Sequence, residues 1–586
     1  MTLLASIVWI CLSGAATLHA QTMGAATVDG TVTDPTSAVV GNAKIVITSE
    51  STGVSRALTS NSAGFYSSTD LTPGSYKIVI SSPGFGTREI DHILLTVGQV
   101  RDLNVRMAIA TVANNVVVSG VSNTLDTSTS AVQGLVNGVT TRNLPLNGRD
   151  FTTLATLQSG VSQVLTQYAD SATSTTRLSR GFGSQLDVGG NRPQQTSYLL
   201  DGINTNDYAN GSPGSTSGAI LGVDAVEEFS VIQSNAPAQY GRMSGGVIDS
   251  ITRSGTNTFH GSIYDFLRNS VFDARNYFDP ATIPPFRRNQ FGGTVSGPIF
   301  RNRTFFFGNY EGFRQTLGSA LVDIVPSPSA RTGNLVAGKV TISPSVLPFL
   351  ALYNMPNGGV SGDTGTYSFV TQQPTNEDFS TIHLDHNFTE KNSLHGTMLY
   401  DTSSFSSADP SDALIDQAIS RRTAISLEDI HIFSPQLTNA VRAGYSRSVA
   451  IGPRQQGVIN SAANDTALGF FPGANAGSLL VSGLTTFNGG VGAVGTYTYH
   501  YNSYQLYDDL ALVRGKNSFS FGGSVERLQD NEEAGLLPFG SWSFGSLKNF
   551  LTNVPTYFQS GLPTLPVAPV DLRTTIAAGY AQDNWR

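Results

Sequence analysis

Two stretches decide how this chain is read: Asn143-Leu144-Pro145-Leu146-Asn147-Gly148-Arg149-Asp150, and further on Ser197-Tyr198-Leu199-Leu200-Asp201-Gly202-Ile203-Asn204. The second is an apolar strand running into Asp-Gly, a pair suited to a tight turn because Gly takes φ > 0 without strain. Two glycine-rich signals follow in the same order along the chain. Gln239-Tyr240-Gly241-Arg242-Met243-Ser244-Gly245-Gly246 comes after Ala225-Val226-Glu227-Glu228-Phe229, and Thr252-Arg253-Ser254-Gly255-Thr256-Asn257 leads into His260-Gly261. Tyr240-Gly241-Arg242 and the Gly245-Gly246 pair allow close backbone approach. Arg149 and Arg242 are read either as partners of carboxylates on a surrounding wall or as solvated surface residues. These features suit a small domain packed inside a larger enclosure, and a free-standing periplasmic α+β domain would explain the same turns.

The surroundings fit. After Thr258, short stretches alternate apolar and polar residues: Phe519, Phe521 and Val525 against Ser518, Ser520, Ser524 and Glu526, and Ile382, Leu384 and Phe388 against Thr381, His383, Asp385 and Asn387. Alternation over about 10 residues with aromatic clusters near strand ends is the pattern of membrane strands that face lipid on one side and a polar interior on the other. The clusters read as interfacial girdles are Thr304 to Phe313 and Thr496 to Tyr501. The stretches Pro326 to Pro348, Ser403 to Asp412 and Gly452 to Gly477, rich in Gly, Pro and Ser, are expected as external loops.

Composition agrees with this reading. Of 586 residues 13% are charged, against roughly 25% in an ordinary soluble domain, with 61 Gly, 31 Phe, 20 Tyr, one Cys and a net charge of −8. The acidic balance argues against nucleic acid as a partner. Residues 1–20 read as a signal peptide, with the apolar run Leu3 to Ala16 and a cleavage site after Leu18-His19-Ala20. Cys11 lies within it. No later apolar run is long enough for a membrane helix.

From Ala26 to Ile109 short alternating strands, with Ile45 and Ile47 on one face and Tyr76, Ile78 and Ile80 on another, are broken by turns at Asp34-Pro35, Thr72-Pro73-Gly74 and Ser82-Pro83-Gly84. This predicts a small antiparallel β-sandwich of the Ig-like or transthyretin-like kind. Gly30 to Phe85 resembles the carboxypeptidase regulatory-like domain. Its one histidine, His92, cannot make a zinc centre, so the module is read as binding or spacing.

The four motifs between Asn143 and Asn257 resemble the plug of the Oar-like branch of TonB-dependent outer-membrane transporters, and Arg288 to Ile299 and Thr304 to Arg314 resemble the family's first barrel strands. Val116-Val117-Val118-Ser119 resembles a TonB box; the plain alternative is a linker or a last strand of the sandwich. The resulting expectation is a mainly β chain: signal peptide 1–20, regulatory-like sandwich 21–110, linker with TonB box 111–130, plug 131–257, and partial transmembrane antiparallel β-barrel 258–586. About ten strands can be marked where a plugged barrel has about 22, so a truncated product is expected.

The resemblance implies a transporter with no catalytic residue and no cofactor. It would sit in a Gram-negative outer membrane with the regulatory-like domain in the periplasm, take its energy from a TonB-type inner-membrane complex, and bind a siderophore, oligosaccharide or peptide. The alternative from another class is a surface-exposed adhesive β-sandwich protein. Gly490-Val491-Gly492-Ala493-Val494-Gly495 precedes a strand and not a helix, so it is not read as a nucleotide loop. His383 and His386, three apart on a strand, face opposite sides, so no metal ligands are assigned. The adjacent Glu227-Glu228 is read as a solvated or plug-to-wall pair.

Overall fold

The alternation after Thr258 is realised in the computed structural model as ten long antiparallel strands in chain order: His260–Asn269, Phe286–Phe300, Thr304–Pro326, Thr364–Thr389, Asn392–Ala408, Leu414–Ser434, Leu437–Gly452, Tyr497–Arg514, Asn517–Glu533 and Pro569–Trp585. The structure describes residues 24–109, 116–119, 130–144, 146, 149–165, 182, 184–217, 222–274, 283–456, 460–491, 497–534, 539–562 and 569–585. Residues 1–20, expected to be a signal peptide, with Cys11, and also Pro145, Asn147, Gly148 and residues 492–495 lie outside them. No helix among the described residues is long and apolar enough to cross a membrane.

Tight turns at 301–303, 390–391, 435–436 and 515–516 join strands at one end, while the connections 327–363, 453–496 and 534–568 lie at the other. That asymmetry is the one expected of outer-membrane barrels, with short periplasmic turns and long external loops. The ten strands form an open wall with His260–Asn269 and Pro569–Trp585 as its edges.

The wall inverts the burial of a soluble sheet. Thr381, His383 and Asp385 are buried on the concave face, while Ile382 and Leu384 are exposed on the convex one. Convex aromatics form two rows. Phe300, Phe388 and Phe433 stand next to the short turns; Phe291, Tyr310, Tyr400 and Tyr504 stand higher on the same wall. Phe291 and Phe300 bracket one strand; their separation corresponds to roughly 30 Å of chain at about 3.3 Å per residue, or about 23 Å along the membrane normal at a tilt near 40°. An outer-membrane apolar band is about 25 Å tall, so the two rows have the spacing of interfacial girdles.

Of the two clusters expected as girdles, Thr304 to Phe313 supplies Tyr310 to these rows, but most of their aromatics do not face outward. Phe305, Phe307, Tyr497, Tyr499 and Tyr501 are buried on the concave face, because the same period that puts one residue of an aromatic run outward puts its neighbour inward. A second correction concerns Ser403 to Asp412: Ser403 to Ala408 continue the strand Asn392–Ala408, and only a short turn follows. Serines on the inner face of a wall are strand residues. The long connections pack on one another around Leu352, Leu479, Phe487, Phe544 and Phe550, forming an apolar core of their own.

Against the concave face sits a unit built on the sheet Val132–Asn137, Val226–Ser234, Val247–Thr252, Ser197–Leu200 and Ile203–Asn204. Among the described residues its helical content is small: the helix Gly138–Asn143 and the 3-10 turns Phe151–Leu157, Pro193–Gln195 and Val223–Ala225. Phe151, Leu154, Phe229 and Val231 form its core, which continues into Phe307, Phe379 and Leu399 of the wall.

The N-terminal module is a two-sheet sandwich closed around Val28, Ile45, Ile47, Ile78, Ile80 and Ile90. It is mixed and not purely antiparallel: Ala26–Thr33 runs parallel to Val100–Asp102, and Arg88–Leu95 parallel to Val116–Ser119. The sandwich stands at the short-turn end, where Asn61 Nδ2 donates to Gly515 O at 2.9 Å and Asn257 N to Ser51 O at 3.0 Å.

Candidate functional site

The candidate site is the seam between the inner unit and the wall. Its centre is the turn Asp201-Gly202, which joins Ser197–Leu200 to Ile203–Asn204 with φ of 45° and 74°. Asp tolerates this region better than most residues and Gly enters it freely. Gly202 is required for a second reason: a Cβ there would lie 2.4 Å from Arg442 Cζ. The Arg442 guanidinium is 1% exposed; it donates to Gly202 O at 3.2 Å and to Glu428 Oε1 at 3.1 and 2.5 Å. Beside it, Gln505 and the backbone of Asn204 exchange two hydrogen bonds of 2.8 and 2.7 Å, and Ser426 Oγ donates to Asp201 O at 3.1 Å. Leu200 is buried behind the turn.

Both arginines singled out from the sequence meet carboxylates. Arg242 Nε donates to Glu526 Oε2 of the wall at 2.6 Å and its NH1 to Asn204 Oδ1 at 3.1 Å; Ser503 Oγ completes the carboxylate at 2.6 Å. Arg149 pairs first with Asp224 of the inner unit and stands 3.5 Å from Glu311 of the wall, with its guanidinium 4.5 Å from the Tyr264 ring centroid. Tyr240 is buried and donates to Asp249 Oδ2 at 2.9 Å.

Gly241 departs from expectation. A Cβ there meets nothing within 4 Å, whereas at Gly245 it would meet Gln195 O at 2.6 Å and at Gly246 Val188 Cγ1 at 2.3 Å. Close approach is therefore the role of the Gly245-Gly246 pair, not of Gly241. Leu146 packs against the inner core and Leu144 is exposed at the end of the Gly138–Asn143 helix.

Val116–Ser119 is the last strand of the sandwich sheet, paired through Arg88 to Asp91. Its place is thus the plainer of the two sequence readings, an edge strand. Glu227 is exposed and 3.5 Å from Arg253, while Glu228 turns inward and accepts from Val97 N of the sandwich. Burial pushes the Glu228 carboxyl up to about 8. His92 is exposed and bonded to Glu50 at 3.0 Å.

The seam also holds residues that the sequence reading missed. Arg442 and Gln505 carry no local signal, since their partners lie far away in sequence. His383, Asp385 and His395 converge on the concave face near the short turns. The alternation already puts His383 and Asp385 on one face; what it does not show is that the sheet register brings His395 opposite them. At the long-connection end Tyr208 of the inner unit stacks on Tyr499 with ring centroids 4.4 Å apart, beside Phe182 and Tyr497.

Residues 251–586 match the outer membrane beta barrel domain family and residues 27–108 the carboxypeptidase regulatory-like domain family. The TonB-dependent transporter Oar of Myxococcus xanthus is 24% identical over 293 residues, 48% of this chain and 26% of that protein. The probable TonB-dependent siderophore receptor PirA of Acinetobacter baumannii is 33% identical over 142 residues, 22% of this chain and 18% of that one. The outer membrane transporter YddB of Escherichia coli superposes with a TM-score of 0.47 at 13% identity, covering 78% of this chain and 55% of its own. This chain spans about a quarter of Oar and less than a fifth of PirA. With ten wall strands, two aromatic rows and a folded unit on the polar face, the chain belongs to the outer membrane beta barrel domain family, carries a carboxypeptidase regulatory-like domain ahead of the barrel, and resides in a Gram-negative outer membrane.

Proposed function

We propose that the chain acts as a TonB-dependent outer-membrane receptor for active uptake of an external ligand of the siderophore, oligosaccharide or peptide class. In this reading residues 131–257 are the plug. The observation that carries it is the seating of the Asp201-Gly202 turn on Arg442 and Ser426 and of the adjoining Asn204 on Gln505, three side chains from three different wall strands. A wall whose concave face is shaped to one turn of an inner domain is built to hold that domain as a stopper. Ligand is met at the long-connection end, where the Tyr208 and Tyr499 platform lies. The sandwich faces the periplasm, and no bond in the ligand is made or broken, so no catalytic residue is assigned.

Energy enters at Val116–Ser119. This strand ends the order of its sheet, and an edge strand offers unpaired backbone groups to an added strand. A TonB-type complex of the inner membrane would pair there and pull on the chain ahead of the plug. The test is a photo-crosslinking residue at Val117 of the full chain, in cells that contain a TonB protein, with Thr59 on the opposite edge strand as control. An adduct at 117, absent at 59 and lost when a Val118→Pro change is added, is expected. Equal adducts at both positions, or none at 117, would remove this assignment.

A further inference from the structure

We infer that His383, Asp385 and His395 form a binding site for a single divalent transition-metal ion of the zinc class, on the concave wall where plug, wall and sandwich meet. The placement follows from strand register. His383 and Asp385 are two apart on Thr364–Thr389 and share its inner face, and Asp385 stands directly opposite His395 on Asn392–Ala408. Three ligating side chains are therefore held by a rigid sheet and not by a loop, which is what a preorganised metal centre needs.

The geometry is close to that of an occupied site. His383 Nε2 lies 2.9 Å and His395 Nδ1 2.6 Å from the same Asp385 Oδ1, and the three ligand atoms fall within 4.8 Å of one another. Zinc bonds of about 2.0–2.1 Å in a tetrahedron hold ligand atoms roughly 3.3 Å apart. Loading the ion replaces the shared protons and spreads the ligands by less than about 1 Å. Two imidazoles and one carboxylate match the donor set of three-ligand zinc sites that keep a fourth position open.

The outer partners are in place as well. The far nitrogen of His383, Nδ1, meets Thr252 Oγ1 and Thr397 Oγ1, each at 2.8 Å; that of His395, Nε2, meets Ser393 Oγ at 3.2 Å. Ser254 Oγ donates to Asp385 Oδ2. Such contacts fix ring orientation and leave the inner nitrogens for the ion. The fourth position opens on a cavity of about 100 Å³, lined by Asp385, His395 and Ser254 together with Thr52, Arg56 and Asp70 of the sandwich. That volume admits several waters. Thr252 and Ser254 belong to the plug side of the seam, so the ion would sit where the plug leaves the wall. None of this depends on the transport reading.

The test uses the full chain in detergent, stripped with a chelator and titrated with Co²⁺ alone as a spectroscopic probe, then with Zn²⁺ in competition. One equivalent of Co²⁺ with the visible bands of a low-coordinate nitrogen and oxygen site, displaced by Zn²⁺, is expected. His395→Ala and the near-isosteric Asp385→Asn should each weaken it at least tenfold, and His386→Ala, which points the other way from the same strand, should leave it unchanged. Circular dichroism and heat-modifiable migration establish that each variant is folded. Wild-type protein without a stoichiometric Co²⁺ site, or Asp385→Asn titrating as wild type, would overturn the inference and leave a hydrogen-bonded His-Asp-His seam.

Discussion

Gly202→Ala tests the seam at its tightest point. Two separate penalties fall on this substitution. Gly202 has φ of 74°, and an L-residue in the left-handed region costs about 1–2 kcal/mol. The new Cβ would also lie 2.4, 2.6 and 2.7 Å from Cζ, NH1 and Nε of Arg442, so the buried guanidinium must shift. It then surrenders the bond to Gly202 O and loosens the pair with Glu428, and a charged hydrogen bond is worth about 1.5–3 kcal/mol. The sum is roughly 3–5 kcal/mol, a large part of the 5–15 kcal/mol that holds a typical folded protein together. Gly241→Ala is the matched control: same plug, nothing within 4 Å of the new methyl, and an expected effect within about 0.5 kcal/mol. Urea unfolding of the full chain in detergent, followed by heat-modifiable migration, reads both. A double-mutant cycle separates the two penalties. In an Arg442→Ala background the collision is gone, so Gly202→Ala should cost only the backbone part, leaving a coupling of about 2–3 kcal/mol. Equal loss at 202 and 241, or full additivity with Arg442→Ala, would refute the reasoning.

Three other outcomes follow from the same geometry. Glu526→Ala takes the carboxylate from partly buried Arg242, leaving it Asn204 Oδ1, and should weaken plug seating by about 1.5–3 kcal/mol, with partial recovery when Arg242→Met is added; the urea midpoint measures both. Glu228 is raised to about 8 in the folded chain, so its protonated form is favoured by burial, and the associated stability is complete below the ordinary carboxylate range and lost as pH rises toward 8. The urea midpoint should therefore fall between about pH 4.5 and 8, with this part of the dependence removed in Glu228→Gln; unchanged dependence in that variant would assign the effect elsewhere. On the convex face Ile382→Arg should destabilise the wall by about 2–4 kcal/mol in detergent or vesicles, whereas Thr381→Val, next door but facing the plug, should be nearly neutral.

Much of the architecture was legible because a membrane wall writes its two faces into alternate residues. Ile382 and Leu384 against Thr381 and His383 could be assigned without coordinates. The Asp201-Gly202 turn was legible because φ > 0 leaves a residue signature. Three kinds of information were not. Which residue of an aromatic run faces lipid depends on register, so the pattern puts Phe305 and Phe307 at an interface, whereas both are buried and Phe307 packs into the core of the inner unit. Polar composition marks a loop in a soluble protein but an inner face in a barrel, so Ser403 to Ala408 was read as loop. Cross-strand sites such as Asp385 with His395, or Arg442 with Gly202, join residues whose proximity only the sheet register creates.

The distribution of polar contacts bears on how the plug could move. The sandwich is closed by an apolar core around Ile45, Ile78 and Ile90, and opening it exposes that surface to water at about 25 cal/mol per Å². The seam is more mixed: beside the Phe307, Phe379 and Leu399 patch, the Tyr208–Tyr499 stack and the packing of Tyr507 on Leu199 and Tyr240, it is held by hydrogen bonds and ion pairs made by Arg242, Arg442, Gln505, Ser426 and Thr252. Each such bond is strong while water is excluded but worth only about 0.5–1.5 kcal/mol net once water can replace it, or about 1.5–3 kcal/mol where an arginine donates. A force applied through Val116–Ser119 has to break the seam one contact at a time, and every contact broken admits the water that solvates its two halves. A polar seam of this kind holds the plug firmly at rest and yields progressively under tension, whereas an apolar seam of equal area would resist until it failed as a whole.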